Sequence, residues 1–127
     1  LNSMSEKNIV IIDDDDRNIF ALGATLRAKG FSCQPFHGAI EAIEALKKIT
    51  CDIILIDMMM PNMDGYEAIP KIREIKGKEH IPIIAVTAQA MHGDKEKCIA
   101  AGANDYVSKP IDVDRLLSVL KEQLTEH

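Results

Sequence analysis

Five side chains that can bind metal or phosphate stand at the ends of apolar runs in this sequence: Asp13, Asp14, Asp57, Thr87 and Lys109. Short apolar runs bounded by polar residues are typical of strands that are buried on both faces of a parallel sheet. Parallel strands bring their carboxyl ends to one edge, and the ligand sites of open α/β sheets lie outside that edge. We therefore expect three carboxylates, a hydroxyl and an ammonium group to converge at one site.

The run of four aspartates from Asp13 to Asp16 is, taken alone, typical of a solvated loop. Asp13 and Asp14 differ from an ordinary loop pair because they follow directly on the apolar run 9–12. Carboxylates that are held close together repel one another unless a cation lies among them. Mg²⁺ prefers oxygen ligands and binds through one or two carboxylates, waters and phosphate oxygens. The sequence thus predicts a Mg²⁺ site at Asp13, Asp14 and Asp57, with Mn²⁺ or another divalent cation as an alternative.

Asp57 beside such a cation is a candidate phosphoryl acceptor. Phosphoryl transfer is catalysed mainly by positioning and by electrostatic stabilisation of the phosphoryl oxygens. The metal would bind one of these oxygens, Lys109 a second, and the hydroxyl of Thr87 with nearby backbone N–H groups a third. Each residue alone has a common structural role, so the hypothesis of a catalytic set of Asp57, Thr87 and Lys109 depends on their combination. The Lys109–Pro110 bond can be cis, which would aim the lysine at the site.

Length and composition indicate one domain of an ordinary globular protein. The chain has 127 residues, of which 46% are hydrophobic and 28% charged, and no apolar stretch has the length of a membrane span. We expect a soluble protein without direct membrane contact. The formal net charge of -5 and the lack of a basic run argue against direct binding of nucleic acid. Three widely spaced cysteines, Cys33, Cys51 and Cys98, are typical of reduced thiols in the cytoplasm.

Strand-like runs alternate with helix-like segments about five times, an order that predicts a parallel sheet flanked by helices. Apolar residues at helical spacing predict helices at about 17–29, 39–49, 93–101 and 113–124, and a third helix after the turn at 60–65. A weak strand is predicted at about 32–36. We expect the domain to span residues 8–124, with tails at 1–7 and 125–127.

Two of these helices carry expectations about single residues. In the first helix, four residues are predicted to form the inward-facing stripe: Ile19, Phe20, Leu22 and Leu26. In the third helix, Pro70 lacks the backbone N–H group that an α-helix uses, and its ring clashes with the preceding turn. We therefore expect the third helix to start late or to be distorted at 67–70.

Four segments together form a recognisable set: an acidic pair in 10–14, a phosphoacceptor loop in 57–65, a switch threonine in 85–88, and an aromatic residue with a lysine in 106–110. In combination they resemble the response-regulator receiver domains of two-component signalling, over residues 8–124. The chain is most similar to the receivers of hybrid sensor histidine kinases, and a free-standing regulator is the alternative. The resemblance implies a flavodoxin-like, doubly wound α/β fold. Such a fold has a five-stranded parallel sheet of order 2-1-3-4-5 and five helices, in three layers.

The same resemblance implies roles and partners. A histidine kinase or a histidine-phosphotransfer protein would donate the phosphoryl group to Asp57, and the backbone carbonyl of Met59 would complete the metal site. Thr87 and Tyr106 would act as a switch that reshapes the surface of the fourth helix, fifth strand and fifth helix. The domain would catalyse its own phosphorylation and dephosphorylation without being a turnover enzyme alone. It would be a monomer or a weak dimer.

Three alternatives stay open. A phosphatase of the haloacid-dehalogenase kind, which also phosphorylates an aspartate, needs a second acid two residues beyond Asp57, where Met59 stands. A flavodoxin-like flavin carrier would bring its phosphate against the acids at 13–16. A pseudo-receiver that only docks other proteins would not need the intact acids, Thr87 and Lys109.

Overall fold

The computed structural model describes residues 7–88 and 93–125, which form five parallel strands and five helices. The strands are β1 (Asn8–Ile12), β2 (Ser32–Phe36), β3 (Ile53–Asp57), β4 (Ile83–Thr87) and β5 (Asp105–Ser108). They form one sheet in the order β2-β1-β3-β4-β5. The doubly wound α/β fold that the sequence predicts is therefore confirmed.

Helices cover both faces of this sheet and complete the three layers. They are α1 (Asp16–Ala28), α2 (Ala39–Leu46), α3 (Gly65–Arg73), α4 (Asp94–Ala101) and α5 (Val113–Thr125). The helices α1 and α5 pack on one face, while α2, α3 and α4 pack on the other. Among the described residues, no helix combines the length and the apolar character that crossing a membrane requires.

The central strands are buried because their side chains alternate between the two helical layers. In β1, for example, Ile9 contacts the layer of α1 and α5, whereas Val10 contacts the opposite layer. The strands β3 and β4 are buried over their whole length, including the polar residue that ends each of them, Asp57 and Thr87. Each of these two apolar runs therefore ends in a polar residue that is itself buried.

The prediction that Phe20 points inward is wrong. Its side chain is 77% exposed, whereas Ile19 and Leu26 are buried and Leu22 is half-buried. Neighbouring residues of an α-helix are separated by about 100° around the helix axis, so Phe20 points away from the layer that Ile19 contacts. A large aromatic side chain is consequently left on the surface near the start of α1.

The ends of two helices differ from the predicted ends. The helix α2 stops at Leu46, earlier than predicted, and the carbonyl of Ala45 accepts from the backbone N–H groups of Lys48 and Ile49 in the turn that follows. The helix α5 continues to Thr125, which was expected to lie in the tail. Residues 1–6 and 126–127 of the predicted tails lie outside the described residues.

Pro70 lies inside α3, so the helix does not start late, and the distortion expected at 67–70 stays a prediction. The helix begins at Gly65, and the carboxylate of Asp64 caps it by accepting from the backbone N–H of Glu67 at 2.9 Å. Proline removes one N–H donor, the one that would pair with the carbonyl of Tyr66. The helix still forms because its inner face is buried by three residues: Ala68, Ile69 and Ile72.

Arg73, at the end of α3, holds that helix against the loop between α4 and β5. Its guanidinium donates to the carbonyl of Gly102 at 2.7 Å and to the side-chain oxygen of Asn104 at 2.9 Å. It also donates to the backbone carbonyls of Lys78 and Ile81. The planar fork of arginine can match several acceptors at once, which a lysine ammonium does less well. One side chain thus connects α3 with the loop before β4 and the loop before β5.

Replacing this arginine tests its contribution to stability. We expect Arg73→Lys to lower the free energy of unfolding by about 2 kcal/mol, because several carbonyl acceptors lose a charged donor. Urea unfolding followed by circular dichroism measures the change. The matched control is Lys71→Arg on the exposed side of the same helix, which should stay within about 0.5 kcal/mol of the parent protein. Equal effects of the two substitutions would contradict the role of Arg73.

Candidate functional site

The parallel register brings the predicted side chains to one edge of the sheet. Ile12 pairs with Ile56, so the residues that follow them along the chain, Asp13 and Asp57, lie side by side. Thr87 ends the adjoining strand β4. The strand β5 lies next to β4 and ends at the same edge. The expected convergence of the strand ends is therefore present.

Three carboxylates lie together at this edge. Oxygen atoms of Asp13, Asp14 and Asp57 lie within 4.8 Å of one another, so they could hold one cation. Asp13 and Asp57 are only 5% and 4% exposed, while Asp14 is open to solvent. Burial raises the pKa of Asp13, and the nearby charge of Asp57 raises it further. A divalent cation would relieve this repulsion, so the set of oxygen ligands fits Mg²⁺.

The N-cap residue and the first turn of α1 hold Asp13 in place. Its Oδ1 accepts from the backbone N–H of Asp15 at 2.9 Å, and its Oδ2 accepts from the side-chain amide of Asn18 at 3.4 Å. Both hydrogen bonds favour the ionised carboxylate and partly offset the rise in the pKa of Asp13. Asn18 is not among the predicted site residues. The signal that could have identified it is its position in the first turn of a helix that starts beside Asp13.

Lys109 faces two of the carboxylates. Its Nζ lies 3.0 Å from Oδ2 of Asp57 and 3.9 Å from Oδ2 of Asp13. Burial alone would lower the pKa of Lys109, but the hydrogen bond and charge of Asp57, together with the other two aspartates, raise it overall. The backbone N–H of Lys109 donates to the carbonyl of Thr87 at 2.7 Å, so the chain is joined to the end of β4 at this point. The Lys109–Pro110 peptide bond is cis, the isomer that the sequence leaves open.

The loop after β3 folds back against the end of that strand. The backbone N–H of Met59 donates to Oδ1 of Asp57 at 3.0 Å, so both oxygens of this carboxylate accept hydrogen bonds. The N–H of Gly65 donates to the carbonyl of Met58 at 3.1 Å. A Cβ atom at Gly65 would clash with Met58, so this close return of the loop requires glycine. The carbonyl of Met59 as a metal ligand stays a prediction.

The two predicted switch residues lie on neighbouring strands. Thr87 is buried at the end of β4, and Tyr106 pairs with Ala85 in β5. Tyr106 is half-buried and packs against the layer of α2, α3 and α4. The roles of both residues stay predictions, as do the catalytic and metal-binding roles of the other site residues.

Large apolar side chains are exposed around the same edge. Five are found among the described residues: Phe20, Ile40, Met59, Ile99 and Val113. All except Ile99 lie near the start of α1, α2 or α5, or in the loop after β3. Helices that follow parallel strands begin at the carboxyl edge of the sheet, where the carboxylates lie. A group of exposed apolar side chains around such a site is typical of a surface that binds another protein.

An apolar groove between α1 and α5 opens beside the carboxylates. Its volume is about 480 Å³, and Leu22 and Ile111 are among its lining residues. Lys109 and Asn18, which contact the carboxylates, also line it. The α1–α5 groove is therefore continuous with the site.

Comparison with known proteins identifies the family. Residues 9–121 match the family model described as the response regulator receiver domain. The chain belongs to this family. The histidine-protein kinase BarA of Escherichia coli K12 is 38% identical over 112 residues, which are 88% of this chain. The predicted likeness to receivers of histidine kinases is thus confirmed, and this receiver domain spans 12% of the length of BarA.

Solved receiver domains have the same fold. The receiver domain of sensor histidine kinase PA1611 from Pseudomonas aeruginosa aligns with a TM-score of 0.86 and 34% identity, covering 93% of this chain and 97% of that chain. Its crystal structure holds a magnesium ion coordinated in the active site cleft. The receiver domain of Ssk1 from Saccharomyces cerevisiae aligns with a TM-score of 0.85 and 28% identity, covering 94% of this chain and 89% of that chain. That receiver was crystallised with the histidine phosphotransfer protein Ypd1.

Removing one carboxylate should have opposite effects with and without metal. In EDTA we expect Asp14→Asn to raise the free energy of unfolding slightly, because one of three repelling charges is gone. In MgCl₂ the parent protein should gain about 1.4 kcal/mol for each tenfold excess of Mg²⁺ over its dissociation constant, and the variant should gain less. Urea unfolding at a series of MgCl₂ concentrations measures both effects.

Asp16→Asn is the matched control for this experiment. Asp16 belongs to the same acidic run, but its carboxylate pairs with His37 at 2.6 Å. The control should keep the magnesium-dependent gain of the parent protein. The same magnesium dependence in all three proteins would rule out a metal site at Asp14.

Proposed function

We propose that this receiver domain accepts a phosphoryl group from a phosphohistidine onto Asp57. One observation carries the proposal: the Asp57 carboxylate lies 3.0 Å from the ammonium of Lys109, within a cluster of carboxylates that fits a divalent cation. A carboxylate in such a position can attack phosphorus because the surrounding positive charge offsets the charge of the phosphoryl oxygens.

The transfer exchanges one bond to phosphorus for another. The bond to the imidazole nitrogen of the donor breaks, its electron pair stays on that nitrogen, and an oxygen of Asp57 forms the new bond. Lys109 is proposed to shift its hydrogen bond from the carboxylate to a phosphoryl oxygen as this happens. The hydroxyl of Thr87 and the N–H of Met59 are proposed to bind other phosphoryl oxygens, because both residues lie beside Asp57.

The metal site is proposed to consist of Asp13, Asp14, Asp57 and the carbonyl of Met59. Mg²⁺ is the proposed ion, and Mn²⁺ or another divalent cation could take its place. When bound, the ion would neutralise charge on the carboxylates and on the phosphoryl group. Support comes from the close carboxylate oxygens and from the magnesium in the PA1611 receiver domain.

The proposed donor is a histidine kinase or a histidine-phosphotransfer protein. The exposed apolar side chains around the site support a protein partner, because such a partner would cover them. The complex of the Ssk1 receiver with Ypd1 supports the same class of donor. A cytoplasmic location is proposed because the cysteines of the described residues are free thiols, which fit a reducing compartment. Neither nucleic acid nor membrane is a direct partner in this proposal.

Signalling is proposed to depend on Thr87 and Tyr106. The phosphoryl group on Asp57 would draw the hydroxyl of Thr87 toward it, and Tyr106 would turn into the space that opens. Tyr106 belongs to β5, which lies between α4 and α5 along the chain, so the surface formed by these three elements would change. Such a switch needs two conformations close in free energy, one of which the phosphoryl group favours.

Acetyl phosphate tests the acceptor without a protein donor. In the presence of Mg²⁺ we expect the protein to gain the mass of one phosphoryl group, as measured by intact mass spectrometry. Asp57→Asn should gain none. Lys109→Met should be labelled roughly 10²-fold more slowly, because the ammonium that stabilises the developing charge is gone.

The control for the lysine substitution is Lys121→Met, which removes a lysine from the exposed side of α5. This variant should be labelled at the rate of the parent protein. Labelling that persists in Asp57→Asn would mean that another residue is the acceptor. A parent protein that is not labelled would favour a docking module that works without phosphorylation.

Beryllofluoride with Mg²⁺ imitates a phosphoryl group and tests the switch. We expect the amide resonances of Thr87, Tyr106 and α4 to shift, because the hydroxyl and the ring change position. The amides of Asn8 and Ile53, at the opposite ends of their strands, should change least. Nuclear magnetic resonance spectra of the isotope-labelled protein measure these shifts. If Asp57 responds to the mimic while Thr87 and Tyr106 do not, the switch is refuted.

A further inference from the structure

We infer that a cleft on the α2 side of the site receives an apolar side chain of the phosphohistidine-bearing partner. This cleft, the α2 cleft, lies between the start of α2 and the loop after β3 and has a volume of about 350 Å³. Its lining includes Asp14, Ile40, Glu41, Met60, Pro61 and Met63. The inference rests on the proposed function, since it specifies how the donor protein docks.

The α2 cleft is apolar at its base and along one side. Met60 is buried and Met63 is half-buried, and both pack into the core layer below. Ile40 is 58% exposed, whereas Ala39 and Ala42 of the same helix are buried. Within the described residues nothing covers the side chain of Ile40, so it is available to a molecule that enters the cleft. The methionines can adapt to the shape of that molecule because their side chains are unbranched and flexible.

One end of the α2 cleft is the carboxylate site itself. Asp14 lines the cleft and also belongs to the cluster with Asp13 and Asp57. A partner side chain in the cleft therefore lies next to the place where a phosphohistidine must reach Asp57. The α1–α5 groove, which includes Lys109, belongs to the opposite face of the sheet. The groove and the α2 cleft thus flank Asp57 on both sides.

Contacts on both sides of Asp57 would restrict the donor more than a contact on one side. A partner that held only the α1–α5 groove could still rotate about that contact. Phosphoryl transfer needs the leaving nitrogen, the phosphorus and the attacking oxygen close to a line, so such rotation would slow it. The α2 cleft is therefore assigned to the orientation of the donor.

The charges at the rim of the α2 cleft define the chemistry of its occupant. Glu41 lines the cleft at a distance from the proposed metal ligands, and Asp16 lies nearby through its contact with His37, which also lines it. These carboxylates would attract a basic side chain and repel an acidic one. The occupant is an apolar side chain flanked by lysine or arginine, on the surface of the donor protein that surrounds its phosphohistidine.

Phosphoryl transfer from Ypd1 of Saccharomyces cerevisiae tests this role of the α2 cleft. The readout is the rate of transfer from phosphorylated Ypd1 divided by the rate from acetyl phosphate, because acetyl phosphate has no side chain that could occupy the cleft while its phosphoryl group lies at Asp57. We expect Ile40→Asp to lower this ratio at least about tenfold, as substitutions at central interface contacts do. Ile40→Ala, which adds no charge, should lower the ratio by a smaller factor.

Ile99→Asp is the matched control. Ile99 is also an exposed isoleucine, at 42%, but it lies on α4 and lines neither the groove nor the α2 cleft. The ratio of the Ypd1 rate to the acetyl phosphate rate in Ile99→Asp should equal the ratio in the parent protein. An unchanged ratio in Ile40→Asp would overturn the inference, and so would a parent protein that acetyl phosphate labels and Ypd1 does not. Failure of acetyl phosphate to label the parent protein would overturn the proposed function itself.

Discussion

The site depends on one electrostatic constraint, which is that the sheet brings three carboxylates together and compensates their charge only in part. The register of β1 and β3 places Asp13 beside Asp57, and the ammonium of Lys109 contacts both. Asp14 adds a third charge on the solvent side. The free energy that holds these groups together comes from burial of the apolar strands that precede them. The remaining repulsion is the physical reason for proposing a divalent cation at this site.

Short-range hydrogen bonds then orient the individual oxygens. The N–H of Asp15 and the amide of Asn18 hold Asp13, while the N–H of Met59 and the ammonium of Lys109 hold the two oxygens of Asp57. The donors of all four bonds come from segments that directly follow strands, so their positions follow from where the strands end. Two of the four donors are backbone N–H groups close to the sheet, and such support helps to fix the orientation of both carboxylates.

The strands and the meeting of the polar side chains at one edge could be predicted because their signals are local. A strand buried on both faces needs an unbroken apolar run, and the polar residue that ends the run, such as Asp57, marks the edge at which the carboxylates meet. Arg73 could not be predicted, because its acceptor Gly102 lies 29 residues away and a charged residue on a helix is usually a surface residue. Phe20 was misassigned for a related reason. Its apolar character is visible in the sequence, but whether the core or a partner buries it depends on the position of α1.

The helix α4 is held weakly by its own inner face, and this gives the proposed switch a physical basis. Its buried residues are Asp94 and Cys98, a carboxylate and a thiol in place of large apolar side chains. One oxygen of Asp94 has no hydrogen-bond partner within the described part of the chain. Cys98 is hydrogen-bonded to Tyr66 of α3, and burial raises the pKa of Tyr66 to about 12.

The two ends of α4 differ in how they are held. Buried polar groups stabilise a helix less than apolar side chains do. At the end of α4 that follows Ala101, Arg73 fixes the loop by its hydrogen bond to Gly102. In the proposed switch, a helix that is fixed at one end and buries few apolar side chains would need little free energy to change its orientation.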